Sequence, residues 1–181
     1  MSYSKARICS DRDLFELQKL WSAQDPIRVK RFYNLFYLEK REIRNIHNED
    51  WWKAFKAKLE KSIGLETYSH YFLEYVEGSF TRAHSDNADD IGGTIVTLVD
   101  TSDNLDGGEA LGYLPHFKKD IGEFDLNRYR DNDHEDTGNH IIPVVIKQQV
   151  GESIMYGPEF QHAVSQVITG RRRVLISWFK K

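Results

Sequence analysis

From about residue 67 onward the chain is a succession of short apolar runs punctuated by glycine: "TYSHYFLEYVEGSF", "GGTIVTLVD", "EALGYL", "HIIPVVIKQQVGESIMYG", "HAVSQVI" and "RRRVLISWF". Each is rich in the β-branched and aromatic residues that fit a pleated, half-buried surface. Several such runs in a row predict an all-β sandwich or barrel. With 181 residues the chain can bury one sizeable core, so a single domain covering 1–181 is expected.

The segment before residue 67 has a different period. In "SDRDLFELQKLW", Ser10 and Asp13 stand at capping-box spacing, and Leu14, Leu17 and Trp21 recur at helical intervals until Pro26. In "NEDWWKAFKAKLEKSIG", Asn48 is a candidate N-cap, Trp52, Phe55, Leu59 and Ile63 form one apolar stripe, and Gly64 is placed to end the helix. Residues 1–66 are therefore expected to be helical support, packed on the β core of residues 67–181. Between the β runs, residues 115–139 are very polar and without period, an insertion of a length often tied to function.

Charge and cysteine content remove several function classes. A net charge of −3 and a pI near 6.2 offer no general attraction to nucleic acid or an anionic membrane. Cys9 is the sole cysteine, so neither an internal disulfide nor a thiolate cluster can form. The opening "MSYSKARICSDRDL" has no apolar signal segment, and no run is long enough to span a bilayer. The expectation is a soluble cytoplasmic protein. The acids are unevenly spread, with fourteen against four bases between Asp86 and Asp136.

Three histidines carry an acid two places on: His47/Glu49, His84/Asp86 and His134/Asp136. Residues i and i+2 face one way only on a strand; on a helix they diverge by roughly 200°. His47/Glu49 opens a helix, where Glu49 is explained as a first-turn acid. His134/Asp136 lies in the polar insertion, and an EF-hand there fails because Asp136 takes the place that needs glycine. His84 instead follows a strand-like run. Far along the chain His162 begins another, and Arg172 heads a third in which Val174, Ile176 and Trp178 share its face. An inward arginine among apolar neighbours requires an anion, and guanidinium binds a carboxylate through two parallel hydrogen bonds. Two histidines and one carboxylate make the facial triad of non-haem Fe(II) oxygenases.

With these residues in place, the chain resembles the 2-oxoglutarate/Fe(II)-dependent dioxygenase superfamily, most nearly its prolyl-4-hydroxylase-like branch. The resemblance rests on "HSD" (84–86), "DGGEALGYL" (106–114), "HAVSQVITGRRRVLISWF" (162–179) and the lead-in "YVEGSFTRAHSD", and covers roughly residues 70–180. It implies a double-stranded β-helix (a cupin-like jelly roll) with helices on the major sheet. It also implies Fe(II) held by His84, Asp86 and His162, with 2-oxoglutarate and O2 as co-substrates. Arg172 would take the distal carboxylate of 2-oxoglutarate, with Arg171 its rival, while Arg173 falls on the opposite face as a surface charge. Tyr75 matches a tyrosine that in relatives lines the co-substrate pocket; a core aromatic is the equal alternative. Gly107 and Gly108 are expected to serve backbone shape.

Departures from the family pattern also inform. Val174 stands where other branches place a serine, and the asparagine and second arginine of nucleic-acid demethylases are missing. The implied activity is hydroxylation of a C–H bond in a peptidyl residue, proline among the candidates, or in a small molecule, with release of succinate and CO2. A jelly-roll metal-binding module and a cupin-type dioxygenase that uses no 2-oxoglutarate are the alternatives. No nucleic acid or membrane partner is expected, the oligomeric state is not readable, and the acidic insertion would favour a basic substrate.

Overall fold

The computed structural model describes residues 3–25, 27–28, 35–36, 39–43, 49–116 and 140–181. Its strands form two main sheets. The larger has seven, in the spatial order β1 (Tyr3–Arg7), β11 (Glu152–Tyr156), β7 (Ile91–Thr101), β14 (Arg171–Lys180), β5 (Thr67–Val76), β4 (Glu39–Glu42) and β2 (Ile27–Arg28). The smaller has five, β10 (His140–Ile146), β9 (Ala110–His116), β12 (His162–Val164), β6 (Phe80–His84) and β3 (Leu35–Phe36). A short ladder joins β13 (Val167–Thr169) to β8 (Asp106–Gly107). Every described pairing is antiparallel, and successive strands β5, β6 and β7 alternate between the sheets. The architecture is mainly β, consistent with a jelly roll.

Period-2 alternation divides the central strands of the large sheet cleanly. One face carries Phe72, Ile95, Val99, Leu175 and Phe179, which share a buried cluster with residues of both helices. Helix α1 (Asp11–Ala23) supplies Leu17, Leu20 and Trp21, and α2 (Asp50–Ile63) supplies Trp52, Phe55 and Leu59. Cys9 is buried in the same cluster, its thiol pushed up to about 12 chiefly by desolvation, and acts as a packing residue. The opposite face carries Leu73, Tyr75, Leu98, Val174 and Ile176, packed with Val167 and Val164 from beyond the sheet. Among the described residues no helix is long and apolar enough to cross a membrane.

The helix starts and stops follow local chemistry. Ser10 caps α1 and Asp13 completes the reciprocal box. The α1 C-terminus has no basic residue in its last turn; instead the Arg41 guanidinium donates to the carbonyls of Trp21 and Gln24 at 2.7 and 2.9 Å. Gly64 ends α2 in the left-handed conformation at φ 76°. The N-cap of α2 is Glu49, with no side-chain capping bond; Asn48 lies outside the described residues.

Two expectations need correction. The segment before residue 67 is not purely helical support, because β1, β2 and β4 belong to the large sheet and β3 to the small one. Strand β1 escaped notice because it is an edge strand: four of its five residues are exposed, so no apolar alternation marks it. Arg173 is not a free surface charge. It lies on the helix-covered face, bonds Glu74 at 2.8 Å and Asp100 at 3.3 Å, and places its guanidinium 4.7 Å from the Trp21 ring centroid. The apolar run "HIIPVVIKQQVGESIMYG" also resolves into two strands, β10 and β11, in different sheets. Of the polar stretch 115–139, the first two residues belong to β9 and residues 117–139 lie outside the described ones.

Asp13 ties the two helices together, accepting from Lys58 at 2.7 Å as well as from Ser10. Burial pushes its carboxyl up, but the bonds from Lys58 and Ser10 outweigh it and hold the carboxyl below its ordinary value. A depressed folded value contributes stability that is present above the unfolded pKa near 3.8 and lost as pH falls through the lower folded one. Asp13→Asn should therefore lower stability by about 1–2 kcal/mol near neutral pH. Urea unfolding of both proteins should show that gap closing in strong acid.

Candidate metal centre

His84 is the last residue of β6 and His162 the first of β12, and the antiparallel register sets them directly opposite. Cross-strand partners sit about 5 Å apart on one face. The two imidazoles are accordingly adjacent, with ring centroids 4.3 Å apart. Asp86 follows His84 in the turn leading to β7, where the Thr94 hydroxyl donates to its Oδ2 at 2.7 Å. Asp86 Oδ1 then lies 3.7 Å from His84 Nε2, and Oδ2 lies 4.0 Å from His162 Nε2. The three side chains can each offer a donor atom within 4.8 Å of the others.

The hydrogen bonds fix which ring nitrogens are available. His84 Nδ1 lies 2.9 Å from the Arg82 carbonyl and His162 Nδ1 lies 3.1 Å from the Phe160 carbonyl. A carbonyl only accepts, so each Nδ1 carries the proton and each Nε2 keeps its lone pair toward Asp86. This is the tautomer an Nε2 ligand needs, held by backbone partners behind the ring. Burial first, and then the neighbouring His84, lower the His162 pKa from 6.5 to about 4. His162 is therefore neutral throughout the physiological range. Two imidazoles and a carboxylate on one side of a common point suit a divalent first-row cation with open coordination positions.

Arg172 stands on β14 opposite Tyr75 of β5, both facing the interior between the sheets. Its guanidinium is 3% exposed and donates to the Gly108 carbonyl and, at 2.7 Å, to Gln148 Oε1. Gln148 is itself anchored through Nε2 to the carbonyls of Val96 and Glu152. No carboxylate among the described residues lies within ion-pair distance of Arg172, and Glu109 acts on it only from farther off. Three of its five N–H donors remain for another acceptor. Gly108 can approach because the preceding Gly107 adopts φ 76°, where a Cβ would stand 2.1 Å from the Gln166 carbonyl oxygen. Arg171, by contrast, points to the other face and pairs with Asp100 at 3.2 Å. Tyr75 is buried, with its hydroxyl 3.0 Å from Thr81 Oγ1.

The fold thus gathers His84, Asp86 and His162, and sets Arg172 and Tyr75 together on the facing sheet. His47 and His134 lie outside the described residues, and Glu49 serves as the N-cap of α2. Sequence reasoning missed Thr94, Gln148 and Tyr156. The Tyr156 hydroxyl lies 3.0 Å from His162 Nε2, and burial, followed by the Asp86 charge, raises its pKa well above 10. Polar residues inside apolar strand runs were the available signal for Thr94 and Tyr156; Gln148 sits in a turn and had none.

No family model matches the sequence, and no curated protein matches it. Among solved structures, a Pseudomonas putida prolyl-4-hydroxylase superposes with a TM-score of 0.64 at 15% identity, over 99% of this chain and 92% of that one. HygX from Streptomyces hygroscopicus, with nickel, 2-oxoglutarate and hygromycin B bound, gives 0.65 at 8% identity, over 98% and 82%. A prolyl hydroxylase in complex with a hypoxia inducible factor oxygen degradation domain peptide fragment from Trichoplax adhaerens gives 0.63 at 12% identity, over 98% and 83%. At these identities the likeness is one of fold, and that fold is shared with the 2-oxoglutarate/Fe(II) oxygenases.

If Thr94 orients Asp86 for a metal, Thr94→Val should keep the fold, since the two side chains match in shape, but weaken Mn(II) binding about 10- to 100-fold. Anaerobic calorimetric titration reads this directly, and an unchanged affinity would remove Thr94 from the centre.

Proposed function

We propose that this chain is a 2-oxoglutarate- and O2-dependent Fe(II) hydroxylase. The observation that carries the reading is Arg172. A buried guanidinium with no described carboxylate partner is costly unless a ligand supplies the anion. It faces the interior shared with a two-histidine, one-carboxylate cluster. A metal-binding module or a dioxygenase without a dicarboxylate co-substrate would leave that charge unexplained.

In this reading His84, Asp86 and His162 hold Fe(II) through two Nε2 atoms and a carboxylate oxygen. Iron held there would supply, with 2-oxoglutarate and O2, an oxidative decarboxylation in which one oxygen atom of O2 enters succinate, CO2 leaves, and the other oxygen atom hydroxylates the substrate C–H. The chain's own contribution is orientation. The carbonyls of Arg82 and Phe160 fix the imidazole tautomers, and Thr94 fixes the Asp86 rotamer. Gln148 and Gly108 hold the guanidinium plane so that its remaining donors meet the distal carboxylate of the co-substrate. Tyr75 beside Arg172 forms one wall of that pocket. The apolar residues Leu73, Leu98, Val174 and Ile176 keep the interior dry, which strengthens each charge-assisted bond.

For the substrate, a peptidyl residue, proline among them, or a small molecule is proposed; in support, one fold neighbour has a peptide fragment bound and another hygromycin B. His84→Ala or Asp86→Ala should abolish 2-oxoglutarate-dependent succinate formation. Arg172→Gln should raise the 2-oxoglutarate concentration required on the order of a hundredfold, since a paired buried charge is replaced by an amide. Its Mn(II) affinity should be retained. Succinate release that is indifferent to all three changes would sink the proposal.

A further inference from the structure

We infer that the Tyr156 hydroxyl is a positioning group of this centre: a buried hydrogen-bond donor that holds an oxygen of the keto-acid end of 2-oxoglutarate beside His162. The inference rests on the co-substrate reading above and adds to it a residue outside the triad and the arginine pocket.

Tyr156 is the last residue of β11, and the register pairs it with Thr94 on β7. Thr94 is the residue that braces Asp86, so Tyr156 stands one strand away from the metal-facing carboxylate and on the same face. Its ring is 6% exposed and packed against Phe160 at 5.4 Å between centroids. Phe160 in turn lies over Gly112, where a Cβ would come within 2.6 Å of the Phe160 ring. The phenol is therefore wedged in place and cannot swing out to water.

Its oxygen points at the ligand cluster, 3.0 Å from His162 Nε2, with the two rings 4.5 Å apart. Because His162 Nδ1 bonds the Phe160 carbonyl, Nε2 is the acceptor and Tyr156 the donor. Nε2 is also the atom a metal would take. A cation there claims the lone pair, and the buried phenol is then left with the neighbouring Asp86 carboxylate or a ligand oxygen in the same small space as its acceptor. Phenylalanine would fill the core equally well, so the hydroxyl is the part that packing alone leaves unexplained.

A second donor supports the assignment. Thr94 has Trp178 as its partner on the other side, in β14, and the buried indole N–H of Trp178 has no acceptor among the described residues. The row Trp178–Thr94–Tyr156 thus brings one N–H and two O–H donors to the level of the metal ligands. That polarity suits an oxygen-rich anion. The keto-acid end of the co-substrate supplies such oxygens, whereas its far carboxylate belongs to Arg172.

Two ligands separate this role from a merely structural one, because succinate keeps the distal carboxylate but lacks the keto-acid end. With the full-length protein loaded with Mn(II) under anaerobic conditions, calorimetry should show Tyr156→Phe weakening 2-oxoglutarate about three- to tenfold. Succinate and Mn(II) affinities should stay within about twofold of the parent. Tyr156→Met, which fills the space without a donor, should behave alike, and thermal melting identifies any variant that does not fold. Unchanged 2-oxoglutarate affinity, equal losses for both ligands, or a loss confined to Mn(II) would each overturn the role of Tyr156 while leaving the hydroxylase reading intact. A parent protein that binds Mn(II) but not 2-oxoglutarate would overturn both.

Discussion

The site depends on one antiparallel register, the pairing that sets His162 against His84. A slip of one residue would turn either imidazole to the opposite face of the small sheet and dissolve the cluster. The register is held from both sides, because β12 also pairs with β9, where His162 meets Gly112. The same frame supplies the ligands' own supports. The carbonyls of Arg82 and Phe160, each two residues before a histidine, take the Nδ1 protons and leave both Nε2 atoms facing inward. The placement of the two histidines is thus a product of ordinary sheet pairing, to which the turn after β6 adds Asp86.

The second constraint is the separation of charge by the pleat of β14. Three consecutive arginines begin this strand, and alternation sends Arg172 one way and Arg171 and Arg173 the other. On the helix-covered face, Glu74 and Asp100 neutralise Arg171 and Arg173, and Trp21 lies against the Arg173 guanidinium. The arrangement locks the helices and the sheet together. On the interior face, Arg172 meets only neutral acceptors among the described residues, a carbonyl and an amide oxygen. One face thus pairs its arginines with carboxylates and the other with neutral acceptors, and the proposed anion-binding role of Arg172 rests on this asymmetry.

Much of this was legible in the sequence. The strand-like runs, the capping box at Ser10 and Asp13, the apolar stripe of α2 and the glycine at its end all appear where their local chemistry puts them. Periodicity failed at β1, since an edge strand needs no buried face and so leaves no alternating pattern. It misjudged Arg173, because exposure depends on what covers a face, and that cover came from helices far away in the chain. It passed over Tyr156, whose place in an apolar strand reads as core until the direction of its hydroxyl is known.

The sequence by itself determined the donor types, their order and the faces they share along each strand, because side-chain chemistry and the two-residue period of a strand are local properties. Only the tertiary structure decided that His84 and His162 stand opposite each other. It also decided that Thr94 and Tyr156 lie beside them, and that Arg172 rather than Arg171 turns to the interior, where its described acceptors are neutral. Those outcomes rest on strand register and on which surfaces are buried together, and both are set by contacts between segments that the chain keeps 62 to 97 residues apart.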